Sequence, residues 1–346
     1  MRSAANRLDS NRTIRVDGRH YFVTSELRFN GRRLLKIREL GNCRRKRTLV
    51  YDPAAKLLRL LVQLPPCETS SHHVSVLRRL PQFGSLPRIL DVEQRGHECH
   101  LLLQWIHGID LGDYLSRVRE QKVVPPSPYE AIRIIRGLAH GLLQLHQYAQ
   151  LIHADIKPEN LLISRKPCHL SLIDFGSAWK IEAGYPGHPG DGISPVYAAP
   201  ELHEQVGRID VRSDQFSVGV VLYELLTGQV PFDGLGGQAG KLSYAGEFAG
   251  GPETPSKLNP ELQQLPRSLR SRIDSLVLQM LKFDPDKRFP TTSAVVSELD
   301  RLTQSVRNAC DQSVTERSLW ARLLDKLTEF LFSSDQPVTG RSDERT

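Results

Sequence analysis

Residues 153–163 read HADIKPENLLI, and residues 170–179 read LSLIDFGSAW. Among runs of Leu and Ile, the two stretches gather ionic and amide side chains: Asp155, Lys157, Asn160 and Asp174. A carboxylate can accept a hydroxyl proton or bind Mg²⁺, an amide oxygen is a hard Mg²⁺ ligand, and an ammonium group balances phosphate charge. Phosphoryl transfer uses all three groups, because its catalysis is mainly positioning and charge neutralisation. The alternative is a turn of polar residues that satisfy one another's hydrogen bonds.

Three later motifs follow in order: ISPVYAAPE at 193–201, SDQFSVGVVLYELLTGQVPF at 213–232 and DPDKRFP at 284–290. With HADIKPEN and DFG, they resemble the motifs of the eukaryotic-type (Hanks-type) protein kinase superfamily, over about residues 30–303. The resemblance implies an α+β fold of two lobes, in which a small antiparallel sheet sits over a larger, mainly helical lobe. It also implies that Asp214 is buried and that Glu201 pairs with Arg288.

The resemblance implies a role for each polar residue of the loops. Asp155 would orient the acceptor hydroxyl and take its proton, and Lys157 would contact the transferring phosphate. Asn160 and Asp174 would hold Mg²⁺. Ser194 stands where serine/threonine kinases have a threonine that contacts the catalytic aspartate and lysine, which favours Ser or Thr over Tyr as the acceptor.

The stretch LLLQWIHGIDL at 101–111 resembles the hinge between the lobes. Leu103 would be the gatekeeper, the backbones of Gln104 and Ile106 would face adenine, and Asp110 would bond the ribose. The implied cofactors are ATP and Mg²⁺. The alternative is simply a strand that leads into a loop.

The N-terminal lobe departs from the family pattern in its glycine-rich loop. The best match is ELGNCRRKRTLVYD at 39–52, which keeps only Gly41 of three glycines and has Cys43 and Lys46 at the other two positions. The with-no-lysine kinases are similar, because they place their phosphate lysine at the third of these glycines. We therefore hypothesise that Lys46 neutralises phosphate charge. The alternative is that Lys46 belongs to a solvated basic run at 44–47.

A second departure concerns the ion pair that positions the nucleotide phosphates in this family. The position of the strand lysine falls on Val62 in one register and on Arg59 in another, and His73 occupies the position of the helix glutamate. Neither register supplies the lysine. The sequence therefore predicts that this lysine–glutamate pair is missing.

Three functions fit these motifs. The first is a serine/threonine protein kinase that acts on a protein substrate. The second is a pseudokinase, a binding or scaffolding module that keeps the fold but transfers phosphate poorly. The third is a kinase-fold enzyme that acts on a small molecule, and the ISPVYAAPE segment argues against it.

Composition limits the compartment and the partners. Five cysteines without a CxxC pair indicate reduced thiols and a cytoplasmic location. The sequence has neither a signal-peptide stretch nor a run of about 18 apolar residues, so no transmembrane segment is expected. Residues 1–50 hold fourteen Lys and Arg against four Asp and Glu, which fits either an acidic partner or a solvated basic face. The aromatic residues of this range, Tyr21, Phe22 and Phe29, are few and do not alternate with the arginines, which argues against nucleic acid.

Hydrophobic periodicity predicts strands within 20–64, 88–92 and 98–105, and helices at 72–80, 128–149, 213–227, 267–282 and 292–304. The Gly-rich stretches 183–192 and 233–252 are expected to be surface loops. The predicted division is a basic N-terminal extension at 1–19, an N-terminal lobe at 20–105, a C-terminal lobe at 106–303 and a tail at 304–346. The tail contains an amphipathic pattern at about 318–332, expected to pack against the protein body or a partner, with a membrane surface as the alternative.

Overall fold

The computed structural model describes residues 13–40, 46–64, 68–81, 86–163, 170–181, 193–204, 209–241 and 251–309. Gly41, Cys43 and the amphipathic pattern predicted at 318–332 lie outside these residues. Within the described ranges, no helix is both long enough and apolar enough to cross a membrane.

Antiparallel strands and one helix form the N-terminal lobe, as predicted. In chain order, these elements are β1 (Thr13–Val16), β2 (Arg19–Phe22), β3 (Ser25–Phe29), β4 (Arg32–Leu40), β5 (Lys46–Asp52), β6 (Leu57–Leu64), α1 (Glu68–Arg79), β7 (Ile89–Arg95) and β8 (Glu98–Gln104). Strands β3 to β8 form one sheet in the order β3-β4-β5-β6-β8-β7, and β1 pairs with β2 as a separate hairpin. The predicted domain boundary between residues 19 and 20 falls inside β2 of this hairpin.

The two faces of the sheet pack against different partners, because side chains alternate along a strand. The face toward α1 and the C-terminal lobe contributes these buried residues: Val62, Leu64, Cys99, Leu101 and Leu103. The opposite face buries a second set: Phe29, Leu34, Val50, Leu61 and Leu102. The first face is called the cleft face below.

The C-terminal lobe is mainly helical, as predicted. Its helices are α2 (Leu111–Arg119), α3 (Pro128–Gln144), α4 (Pro200–Glu204), α5 (Val211–Thr227), α6 (Pro255–Leu258), α7 (Pro260–Gln263), α8 (Arg267–Met280) and α9 (Thr292–Ala309). Short strands line its upper edge: β9 (Ile109–Asp110), β10 (Leu151–Ile152), β11 (Leu161–Ile163), β12 (Leu170–Leu172) and β13 (Trp179–Lys180). Every residue of α5 from 213 to 226 is buried, so this helix is the centre of the lobe.

Helix α3 begins and ends in ways that position the loop at 153–160. At its start, Ser127 and Glu130 form the predicted capping box, and Pro128 is the first helical residue. At its end, one π-helical turn over Leu145–Ala149 leads to Gln150 in the left-handed conformation, with φ 53°. This turn reverses the chain into β10 and then into the HADIKPEN loop.

Of the two Gly-rich stretches predicted to be surface loops, 183–192 lies outside the described residues and 233–252 is partly buried. Gly236 and Gly237 pack under the segment 195–200, and the amide of Gly237 donates to the carbonyl oxygen of Ala198 at 2.8 Å. A Cβ on Gly237 would lie 2.2 Å from the nitrogen of Pro200. The expectation was wrong here because the glycines serve close backbone packing rather than turn formation. Residues 242–250 lie outside the described part.

We expect Gly237→Ala to destabilise the folded protein by about 1–3 kcal/mol, because the added methyl group must push backbone away. Thermal unfolding of the purified variant measures this effect. Gly251→Ala is the matched control, since a Cβ there meets no atom within 4 Å although its φ is +78°. If Gly237→Ala costs no more than Gly251→Ala, the packing described here is not the reason for this glycine.

Candidate active site

Buried Asp214 holds the backbone of the HADIKPEN loop. Its Oδ2 accepts the amide of His153 at 2.8 Å, and its Oδ1 accepts the amide of Ala154 at 2.9 Å. Ala154 has a φ of 62°, a left-handed conformation that is unfavourable for a residue with a Cβ. The two backbone amides donate charge-assisted hydrogen bonds to this fully buried carboxylate. These bonds stabilise the strained peptide and thereby fix the position of the next residue, Asp155.

Two histidines complete the support of the loop. The Nε2 of His146 lies 2.8 Å from Oδ2 of Asp214, and its Nδ1 lies 2.7 Å from the hydroxyl of Thr292. Burial alone would raise the pKa of Asp214, but the hydrogen bond and charge of His146 hold that pKa below its usual value. Complete burial lowers the pKa of His153, whose ring lies edge-on to Phe175 at 4.9 Å. Sequence reasoning identified Asp214 but missed His146 and Thr292.

The structure brings together four of the predicted site residues. The amide of Asn160 donates to Oδ2 of Asp155 at 3.0 Å, and the ammonium of Lys157 lies 2.9 Å from the same oxygen. The ammonium of Lys157 also donates to the hydroxyl of Ser194 at 2.6 Å, and the backbone amide of Ser194 donates to Oδ1 of Asp155 at 3.1 Å. The Asp155 side chain is 10% exposed, so it is held by three neighbours at the edge of solvent.

Asn160 and Asp174 form an oxygen donor set that suits Mg²⁺. The Nδ2 of Asn160 faces the backbone oxygen and the carboxylate of Asp155, so its Oδ1 is the atom left for a metal. The backbone oxygen of Asn160 accepts the amide of Ile173 at 2.9 Å, which ties the two loops together next to Asp174. Carboxylate and amide oxygens are hard ligands, and Mg²⁺ is commonly bound through one or two such groups with phosphate oxygens and water.

Helix α1 is docked onto the segment that follows Asp174. The Nε2 of His72 lies 2.8 Å from the carbonyl oxygen of Ala178, and its ring lies 4.6 Å from that of Trp179. Phe175 is fully buried in the same core as Leu77 of α1. His73, at the predicted position of the helix glutamate, is also buried. These contacts fix α1 against the C-terminal lobe.

A cation from β5 lies next to Asp174. The structure places Val62 on the cleft face and Arg59 on the other face of β6, so neither of the two predicted registers supplies a lysine to the cleft. The guanidinium of Arg47 lies 2.8 Å from Oδ2 of Asp174. Lys46 instead pairs with Glu39 at 3.1 Å, and its side chain is 54% exposed. Its predicted contact with phosphate stays a prediction.

The predicted hinge at 101–111 runs from the end of β8 through β9 to the first residue of α2, at the junction of the lobes. Leu103 is buried on the cleft face, and the backbone amide of Gln104 donates to the carbonyl oxygen of Arg88 at 2.9 Å. Ile106 lies in the loop that joins β8 to β9 and is half-buried. Asp110 ends β9, where it pairs with Leu162 of β11. The contacts of these residues with a nucleotide stay predictions.

Asp110 has an unusual protonation equilibrium. Its Oδ1 accepts the backbone amide of Asp113 and so caps α2 at 3.1 Å. Burial raises the pKa of Asp110 to about 6, helped by the negative charges of Asp113 and Glu159 and opposed by amide hydrogen bonds from Asp113 and Gly112. Because the folded pKa exceeds the unfolded one, the carboxyl group favours the folded state most below about pH 4. That contribution is lost as the pH rises toward about 6.

We therefore expect Asp110→Asn to gain thermal stability relative to the wild type as the pH rises from about 4 to about 6, since asparagine caps helices equally well and cannot ionise. Unfolding temperatures of the two proteins across this range measure the difference. A difference that is constant with pH would contradict the raised pKa.

The predicted pair between Glu201 and Arg288 is confirmed. The guanidinium of Arg288 donates to both carboxylate oxygens of Glu201, at 2.7 and 3.0 Å, and both side chains are buried. Arg288 also donates to the backbone oxygens of Lys282 and Phe283. The pair therefore ties the end of the 193–201 segment to the body of the C-terminal lobe.

A family model described as the protein kinase domain matches residues 64–299. The chain belongs to the protein kinase family. Two similar proteins are the ribosomal protein S6 kinase alpha-4 of Homo sapiens, 33% identical over 223 residues, and the serine/threonine-protein kinase PksC of Streptomyces coelicolor, 31% identical over 215 residues. These matches cover 63% and 61% of this chain but only 28% and 36% of the relatives.

Solved kinase structures share the fold. The kinase domain of Mycobacterium tuberculosis PknI, solved as a point mutant, aligns with a TM-score of 0.57 and 19% identity, covering 78% of this chain and 95% of that one. The Cydia pomonella Granulovirus kinase PK-1 aligns with a TM-score of 0.62 and 19% identity, covering 77% of this chain and 93% of that one. These structures confirm the two-lobed α+β fold. The family model and the serine/threonine kinase relatives confirm the predicted membership in the Hanks-type superfamily.

Proposed function

We propose that this kinase is active and transfers the γ-phosphate of ATP to a serine or threonine hydroxyl of a protein substrate. One observation carries the proposal: Asp155, Lys157, Ser194 and Asn160 form one hydrogen-bonded cluster in the cleft. A turn whose polar residues only satisfied one another's hydrogen bonds would not need the ammonium group of Lys157. It would also not need the strained peptide at Ala154, which buried Asp214 holds in place.

Each group of the cluster has a chemical task. Asp155 is fixed through Oδ1 and Oδ2. It can accept the proton of an acceptor hydroxyl as that oxygen attacks the γ-phosphorus and the bond from this phosphorus to the oxygen of ADP breaks. Lys157 places a positive charge 2.9 Å from that carboxylate, where it can neutralise the oxygens of the transferring group. When bound, Mg²⁺ would supply further charge neutralisation, and Asn160 and Asp174 are the residues that would hold it.

Ser194 supports the choice of acceptor. Its hydroxyl accepts from Lys157 and its amide donates to Asp155, so it closes the site on the side of the 193–201 segment. A seryl or threonyl side chain is short, and its hydroxyl reaches Asp155 only if the substrate backbone lies close to this segment. A tyrosyl hydroxyl would hold the substrate backbone farther away.

A pseudokinase is the second candidate, and a specific observation favours it. The position opposite Arg47 in β6 is Val62, so the lysine of the family pattern is not supplied there. Removing one charge partner of the transition state typically slows a reaction by a factor of about 10² to 10³. If no other cation neutralises the nucleotide phosphates in place of this lysine, the protein is a pseudokinase.

Two further proposals concern the binding partner and the cellular location of the protein. The basic residues near the N-terminus would meet an acidic partner, supported by exposed Arg15 of β1 and Arg32 of β4. A cytoplasmic location is proposed from the cysteine pattern.

The acceptor is tested by incubating the protein with radiolabelled ATP, Mg²⁺ and a generic basic protein, followed by phosphoamino-acid analysis. Phosphoserine or phosphothreonine is expected. Phosphotyrosine alone, or label on a small molecule only, would contradict the proposed substrate class. Mn²⁺ is included in a parallel reaction, because the proposal requires a divalent cation but not one particular ion.

A further inference from the structure

We infer that Arg47 replaces the missing strand lysine and neutralises the phosphates of the nucleotide. The inference deepens the proposed function and rests on it, because it assigns a new residue to the same cleft. It is carried by the position of Arg47 in the sheet and by its contact with Asp174.

The register of the sheet puts Arg47 beside the position of the lysine. In the antiparallel pairing of β5 with β6, Arg47 lies directly opposite Val62, and Val62 lies opposite Leu101 of β8. Residues directly opposite one another point to the same face of a sheet. Val62 and Leu101 belong to the cleft-face core, so the side chain of Arg47 also projects from the cleft face.

The contact with Asp174 joins two residues that are 127 positions apart in the chain. The guanidinium of Arg47 lies 2.8 Å from Oδ2 of Asp174, and the two side chains are 29% and 22% exposed. Nucleotide phosphates must approach Asp174 if this carboxylate holds their Mg²⁺. A planar guanidinium with several N–H donors can then turn from the carboxylate to the phosphate oxygens.

The neighbouring residue cannot do the same from its present position. Lys46 lies opposite Gln63 and therefore points to the other face of the sheet. Its ammonium pairs with Glu39, which also pairs with Lys36. These ion pairs lower the pKa of Glu39 and keep Lys46 on the outer surface. The single cation offered to Asp174 by the basic run at 44–47, among its described residues, is Arg47.

Binding of ADP and of adenosine to single variants of the full chain tests this role. We expect Arg47→Ala to weaken ADP binding about 10- to 100-fold, because a charged hydrogen bond is lost, and to leave adenosine binding unchanged. Lys46→Ala should bind both ligands like the wild type. If Lys46→Ala weakens ADP binding and Arg47→Ala does not, or if Arg47→Ala weakens ADP and adenosine equally, the inference is overturned.

A rescue experiment excludes a merely structural effect. Because Val62 lies opposite Arg47 on the same face, Val62→Lys in the Arg47→Ala background should recover most of the lost ADP affinity. No recovery in a protein that unfolds at the wild-type temperature would contradict the assignment. The proposed function is judged separately: Arg47-dependent ADP binding without phosphate transfer would support this inference but contradict an active kinase.

A different observation carries a second inference, that the hairpin β1–β2 is an autoinhibitory lid over the adenine site. Leu49 of β5 lies opposite Leu60, and Leu60 lies opposite Leu103 of β8, so these three residues form one row on the cleft face. The row ends at the predicted gatekeeper, where adenine would bind. A residue that lines an open adenine site would be exposed to solvent, but Leu49 is only 2% exposed.

The hairpin covers the Leu49 end of this row. Val16 is buried in one cluster with Leu49 and Leu58, and Ile14, Tyr21 and the hinge residue Trp105 pack against the same cluster. At the turn of the hairpin, the carboxylate of Asp17 lies 3.8 Å from Nε2 of His107 in the hinge. Adenine needs the apolar surface that Val16 occupies, so nucleotide binding requires the hairpin to move.

The other face of the hairpin supplies a matched control. We expect Val16→Asp to strengthen ADP binding roughly fivefold or more, because the competing apolar contact is lost, whereas Phe22→Asp, at a residue that is 68% exposed, should not change it. In the wild type, ADP should speed amide hydrogen exchange over residues 13–22. Unchanged ADP affinity in Val16→Asp together with unchanged or slower exchange in the hairpin would overturn the lid.

Discussion

Arg288→Ala is expected to lower the free energy of unfolding by about 3–5 kcal/mol, because it leaves the carboxylate of Glu201 buried without its charge partner. Arg288 also donates to three backbone oxygens, those of Lys282, Phe283 and Arg212, so its removal opens the junction around the 193–201 segment. Glu201 would keep only the hydroxyl of Ser213, at 2.8 Å, among the side-chain contacts described for it. A neutral hydroxyl does not compensate a buried negative charge.

Thermal unfolding of the full chain measures this loss, and we expect the transition to fall by on the order of 10 °C. Arg301→Ala is the control, because Arg301 pairs with Glu298 at 3.3 Å with a side chain that is 71% exposed, and such pairs contribute little. Replacing both partners, as in Arg288→Met with Glu201→Gln, should cost less than the two single changes summed. A loss below about 1 kcal/mol in Arg288→Ala would contradict the structural role of the pair.

Asp155→Asn is expected to reduce turnover by a factor of about 10² to 10⁴, because the acceptor hydroxyl loses its proton acceptor. The side chain keeps its shape, and its amide oxygen can still accept from Asn160 or from the backbone of Ser194. The KM for ATP should change little, since the residue faces the acceptor rather than the nucleotide. The effect therefore falls on kcat.

Steady-state kinetics with varied ATP separate these two constants. Asp286→Asn is a suitable control, because the Asp286 side chain is 85% exposed and its carboxylate pairs only with Arg212 among the contacts described for it. We expect its kcat to equal that of the wild type. A variant Asp155→Asn that retains a tenth or more of the wild-type kcat would mean that another group takes the proton.

The C-terminal lobe could be predicted from sequence because its motifs resemble those of the kinase family and its helices have recognisable start and core residues. The capping box at Ser127 and Glu130 marks where α3 begins, and the apolar residues of α5 mark a helix that is buried all round. The Glu201–Arg288 pair followed from the motifs that contain it. The resemblance of those motifs to the family pattern implied the pair, although its two residues are 87 positions apart in the chain.

The nucleotide side of the cleft could not be predicted. In a run of consecutive basic residues, the sequence does not show which side chains point into the cleft and which point to the other face of the sheet. Leu49, Val50 and Tyr51 are consecutive apolar residues, so the alternation in β5 gives no register for the preceding Lys46 and Arg47. Only the pairing of β5 with β6 shows which of the two enters the cleft. The hairpin β1–β2 was not predicted for a related reason. It has few apolar residues and basic residues lie between them, so its sequence did not indicate that it packs on β5 and β6.

If the proposed function is right, the chain transfers phosphate although Val62 occupies the position of the strand lysine. The most direct test is γ-phosphate transfer from saturating Mg-ATP in a single turnover, with Asp155→Asn as the blank. We expect transfer by the wild type, and transfer near the blank for Arg47→Ala. Wild-type transfer no greater than the blank, with Mg²⁺ or Mn²⁺ and with ATP bound, would contradict it and identify the protein as a pseudokinase.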